Sequence, residues 1–147
     1  HLTPANIILT RDGPPLNIKL TGFGDRGHRY TTEILTDGYP GSTTSYLSPE
    51  KFEHGRGTWQ SDIYAVGMLF YKMVTGAPPF IHKNPVRIVE MHKEKPPPDL
   101  PERVPPTLRP VFHRMVSKDP NRRPTAKNVV STLDLIQGAT QGRETNA

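Results

Sequence analysis

The chain has 147 residues, 33% of them hydrophobic, with 17 prolines, no cysteine and a net charge of +5. Such a length is about one ordinary domain, and the lack of cysteine excludes disulfides and thiolate metal sites and favours a reducing compartment. The 19 basic against 14 acidic residues suit an acidic peptide, nucleic acid or an anionic membrane surface, but a surplus this mild reads most simply as a solvated face. The polar start at His1-Leu-Thr-Pro has no signal-peptide pattern, and the longest apolar stretch, Ile63 to Tyr71, is far shorter than the roughly 20 residues of a membrane span. With no initiator Met and an abrupt beginning, the chain is expected to be a fragment.

In chain order, Asn6 to Thr10 and Asn17 to Thr21 are short β-rich runs. Arg11-Asp-Gly-Pro-Pro15 supplies turn chemistry between them, so an antiparallel pair is predicted. Residues 22–48 are polar, without sustained period, and read as one long loop. A helix is predicted from an N-cap at Ser61 to Gly76. It has no charge between Ile63 and Tyr71, so it is expected to be buried on every side. Trp59, just before it, is expected to pack. Asn84-Pro85 opens a shorter helix through about Lys93. Pro96 to Pro106 reads as a connector rather than a polyproline ligand.

Leu108, Val111, Phe112, Met115 and Val116 form the apolar face of a helix capped by Thr107. Thr125 caps a last helix with Val129, Val130, Leu133 and Ile136 inward. Gln137 to Ala147 reads as a polar tail. The six histidines (1, 28, 54, 82, 92 and 113) lack metal-binding spacing, and nothing points to nucleic-acid readout.

Five pieces are similar, in order and spacing, to the C-terminal lobe of eukaryotic-like Ser/Thr protein kinases. His1-Leu-Thr-Pro-Ala-Asn6 resembles the catalytic loop D-L-K-P-x-N, and Gly22-Phe23-Gly24 resembles D-F-G. Ser42 to Glu50 (STTSYLSPE) resembles the end of the activation segment. Ser61 to Gly67 resembles the start of the central F helix, followed by Thr75 to Phe80. Lys118 to Thr125 resembles the arginine motif before the last helix. Five motifs in register make the resemblance specific, and it runs from residue 1 to about 136.

The resemblance implies an α+β, mainly α fold: a kinase-like C-lobe over residues 1–136, with a short β-pair, an activation segment and helices around a buried F helix. Residues 137–147 follow as a tail. The Gly-rich loop and the paired lysine and glutamate of the N-terminal lobe are absent from this sequence. ATP and Mg2+ are the cofactors the family implies.

At the site the sequence departs from the family pattern. His1 stands at the position of the catalytic Asp and is read as not being the base, although imidazole can act as one. Thr3 replaces the lysine that contacts the transferring phosphate, so a charge is lost. Asn6 matches the second magnesium ligand, or is a loop cap. Gly22 replaces the Asp that bridges magnesium to the phosphates, and a hard cation requires oxygen ligands that glycine lacks. Asp25 reads as a solvated loop acid. Phe23 and Gly24 complete the motif.

The structural positions are kept. Glu50 and Arg123 match a buried ion pair, with Ser48 and Pro49 beside the glutamate. Asp62 matches an acid that holds catalytic-loop amides, or is a helix-start charge. Gly67 sits inside the F helix. Thr43 matches the threonine that touches the catalytic Asp, or packs the loop. Thr31, Thr32, Thr36, Ser42 and Thr44 are hydroxyls open to phosphorylation, with no Arg cluster awaiting them.

The functional expectation is a catalytically impaired, pseudokinase-like scaffold or allosteric module, inactive on its own. The alternative is a fragment of an active Ser/Thr kinase. A protein partner or substrate is expected at the activation segment and the helix from Asn84. The expected location is the cytoplasm, or the cytoplasmic side of a membrane-anchored parent.

Overall fold

The computed structural model describes residues 2–10, 17–22 and 43–144, with side chains of the last helix described as far as residue 138. Strands β1 (Ile7–Thr10) and β2 (Asn17–Leu20) pair antiparallel, with Ile7 opposite Leu20 and Thr10 opposite Asn17. A single 3-10 turn, Pro4–Asn6, leads into β1. The predicted turn at residues 11–15 lies outside the described residues. A second 3-10 turn, Thr43–Tyr46, precedes five helices: α1 (Pro49–His54), α2 (Trp59–Thr75), α3 (Pro85–Glu94), α4 (Arg109–Met115) and α5 (Ala126–Glu144). The fold is α+β and mainly helical.

Helix α2 is the spine. Tyr64 and Met68 have no exposed surface and pack with Tyr46, Phe80, Ile88 and Phe112 in one core cluster. Burying each such side chain contributes about 1.5–3 kcal/mol. Ile63, on the adjoining face, packs with Met115 and Val129 in a smaller cluster. Gly67 lets α4 come close: a Cβ there would stand 2.5 Å from Val116 Cγ1 and 3.3 Å from Met115 Cβ.

Several sequence expectations are corrected. Helix α2 begins before Ser61. Thr58 is its N-cap, and its N–H donates to Ser61 Oγ at 3.1 Å, so Ser61 is the third residue of a capping box. Trp59 is therefore the first helical residue, and it is 52% exposed rather than packed. Burial of α2 is not complete either. Val66 is exposed and Phe70 half-buried, because both border an apolar hollow of about 150 Å3 between α2, α4 and α5. The C-terminus of α2 is as expected, with Gly76 left-handed at φ +86° and its N–H on Lys72 O at 2.8 Å.

Thr107 does not cap α4. It lies within a 3-10 turn, Pro106–Leu108, and α4 starts at Arg109 without a side-chain cap. Neighbouring prolines at 105, 106 and 110 set the backbone there instead. The short helix α1, inside a stretch that shows no period, was not anticipated. The presumed tail from Gln137 is helical through Glu144, continuing a helix whose cap is as read: Asn128 N–H donates to Thr125 Oγ1 at 3.2 Å. Asn84 also caps α3 as read, accepting from Val86 N–H at 2.9 Å.

Candidate functional site

Thr3, Asn6 and Gly22, the positions that resemble the family's catalytic loop and D-F-G motif, are set by the 3-10 turn and by β2. Asn6 N–H donates to Thr3 O at 3.0 Å, closing the turn, and Thr21 N–H donates to Asn6 O at 2.9 Å, tying the turn to the end of β2. Thr3 is buried and Asn6 half-buried. Gly22 follows with φ +73°, in the left-handed region that glycine adopts without strain. A Cβ built on it would lie 2.8 Å from Asn6 Cγ and Nδ2 and 2.9 Å from Asn6 Oδ1. Thr3, Asn6 and Gly22 are thus brought together. His1, Phe23, Gly24, Asp25 and the hydroxyls at 31, 32, 36 and 42 lie outside the described residues.

The second group lies at the start of α1. Thr43 is half-buried, while Ser48 and Pro49 are buried. Pro49, at the first helical position with a fixed φ and no N–H to lose, starts α1 and carries Glu50 into its first turn. Glu50 accepts from Arg123 Nη1 at 2.7 Å, from Arg123 Nη2 at 2.9 Å and from Ser61 Oγ at 2.7 Å. Arg123 also donates to the carbonyls of Gln60 at 3.0 Å, Ser117 at 2.8 Å and Lys118 at 3.2 Å.

All five guanidinium N–H groups are therefore used, and no part of the Arg123 side chain is exposed. Its charge also sits 4.9 Å above the Tyr64 ring. Burial works to raise the Glu50 carboxyl, but the hydrogen bonds from Arg123 and Ser61 outweigh it and hold the pKa at about 2. Asp62, one residue beyond Ser61, is exposed; its N–H donates to Thr58 O at 3.3 Å, and its carboxylate has no partner among the described residues.

A third group was not foreseen. His92, on α3, has no exposed surface, and its Nδ1 lies 2.9 Å from Tyr64 Oη. Lys118 Nζ donates to His92 O at 2.6 Å and reaches Tyr64 Oη at 3.5 Å. Tyr64 Oη thus accepts from the ammonium and shares a second hydrogen bond with Nδ1 of a neutral His92. Burial, reinforced by the Lys118 charge, pushes His92 down to about 3. Burial, with Arg123 nearby, lowers Lys118 to about 8. One signal was readable in the sequence: Ile88 and His92 are four apart, on one helix face, and both are buried.

Together these contacts build a rigid support around Glu50 and a closed junction at Gly22. Among the described residues no helix is long and apolar enough to cross a membrane.

Comparison with known proteins agrees with this arrangement. A family model described as the protein kinase domain matches residues 1–133. The chain is 30% identical over 138 residues to a probable serine/threonine-protein kinase of Clostridium perfringens, covering 91% of this chain and 20% of that protein. It is 32% identical to the serine/threonine-protein kinase PkaA of Streptomyces coelicolor, covering 92% and 25%. It is 34% identical to PknF of Mycobacterium tuberculosis, covering 82% and 26%. The chain thus spans about a fifth to a quarter of these relatives. With the family model covering nearly its whole length, the chain belongs to the protein kinase family.

Proposed function

We propose that this chain corresponds to the C-terminal lobe of a kinase fold and acts as a binding scaffold rather than as a phosphotransferase. The observation that carries this reading is Gly22. The family's ATP and Mg2+ require oxygen ligands on the cation, and the residues present do not fit Mg2+. Glycine supplies no side-chain oxygen at 22, and the space its Cβ would take is filled by the side chain of Asn6. Thr3 offers no positive charge to a phosphate and is buried besides. What is maintained is the frame: the fully bonded Arg123, the ion pair to Glu50, and the packed α2.

The working surface in this reading is the activation segment with α3, whose approach carries exposed Ile81, Val86 and Lys83. An apolar pair beside a cation suits a partner that presents apolar and acidic side chains.

The test is thermal unfolding of the full-length protein that contains this chain, with ATP, with and without Mg2+. No magnesium-dependent rise in the midpoint is expected. A bound nucleotide at one hundred times its dissociation constant would stabilise the fold by about 2.7 kcal/mol, so a clear magnesium-dependent rise overturns the scaffold reading. The second reading, a piece of an active Ser/Thr kinase, is favoured by the names of the relatives, and that rise is what it requires.

A further inference from the structure

We infer that the side chain of Asn6 fills the side-chain volume of position 22, so that direct packing ties the entry of β1 to the exit of β2. The inference rests on the reading of Gly22 given above and deepens it, because it assigns Asn6 a task other than holding a ligand.

The backbone geometry makes the two positions compete. Asn6 is fixed on both sides, by its N–H on Thr3 O and by its O on Thr21 N–H, at 3.0 and 2.9 Å. Gly22 lies two residues beyond Leu20, which is held in register opposite Ile7. Neither main chain can withdraw without breaking these bonds. A Cβ at 22 would come within 2.8–2.9 Å of three atoms of the Asn6 side chain. Non-bonded carbon atoms sit at about 3.5–4.0 Å, so the Asn6 amide must rotate away before position 22 can carry any side chain. An inward Asn6 therefore requires glycine at 22, and a side chain at 22 displaces the Asn6 amide.

A double-mutant cycle of Gly22→Ala and Asn6→Ala, read by thermal unfolding without nucleotide or metal, tests this. Gly22→Ala should lower the midpoint in both backgrounds, since φ +73° strains any L side chain. The drop should be larger by about 3 °C when Asn6 is present. Bonds that Asn6 makes elsewhere are lost equally on both sides of the cycle and cancel. Equal drops overturn the inference.

If Gly22→Ala fails to fold, Asn6→Ala should restore folding to it; a double variant that still fails, while Asn6→Ala alone folds, also overturns the inference. In the unsubstituted chain, nuclear Overhauser contacts are expected between the Asn6 side-chain amide and the Gly22 α-protons, and their absence refutes the packing directly. The outcomes separate from those of the ATP titration. Magnesium-dependent stabilisation with the coupling intact removes the scaffold reading and leaves the pair, whereas loss of coupling without any nucleotide response does the reverse.

Discussion

Arg123 has three carbonyls and one carboxylate as partners, and each wants a different edge of a planar fork. Lysine carries the same charge on a single nitrogen and cannot reproduce that geometry. Removing one member of a buried pair leaves an uncompensated charge, at a cost of about 3–5 kcal/mol. Arg123→Ala should therefore lower the urea unfolding free energy by about that amount, with Arg123→Lys recovering less than half; full recovery by lysine would mean that charge alone suffices. Gly67 tests packing in the same way. Gly67→Ala forces a methyl against Val116 and should cost about 1–3 kcal/mol. Combined with Val116→Ala in a cycle, the double variant should be more stable than the two single losses predict.

The sequence made the identity of Glu50 and Arg123 readable through their Ser-Pro and Arg-Pro neighbours. It could not show that Gln60, Ser117 and Lys118 lend carbonyls, because any residue type offers one. The inward setting of Asn6 was likewise hidden, since a side-chain rotamer leaves no trace in composition.

Among the elements, those with a period or a punctuating residue were legible. The β-pair, the Gly76 end of α2, the Asn84-Pro85 start of α3 and the Thr125 cap of α5 all follow from local chemistry. Errors came where two local signals compete. Thr58 and Ser61 both carry a hydroxyl suited to a cap, and a capping box uses both at once, so the sequence alone shifts the start by one turn. Helix α1, at six residues, is too short to show any period.

His92, one of six histidines without metal-binding spacing, occupies a core position of α3. Its folded pKa is depressed to about 3 from an ordinary 6.5, so the unfolded chain takes up a proton that the fold refuses. Between about pH 8 and 6.5 stability should hold, and below 6.5 it should fall, with the slope steepening to about 1.4 kcal/mol per unit some one unit lower. Glu50, depressed from 4.5 to about 2, adds a further loss only between those values. Urea unfolding across pH 7 to 4 should therefore show a decline beginning near 6.5 in the parent and near 4.5 in His92→Gln. An unchanged profile in the variant would assign the upper limb to another group.

At the scale of the whole molecule, Glu50 and Arg123 are 73 residues apart in sequence. Bringing chain ends across such a span costs about (3/2)RT ln n, near 4 kcal/mol, before any contact rewards it. Removing one partner of the buried pair costs a comparable amount. The pair is therefore expected to close late, on a body already assembled from α2, α3 and α4, so that Arg123→Lys should speed unfolding more than it slows folding. It is a latch in the sense that the Ser48-Pro49-Glu50 stretch is tied across the fold to Arg123.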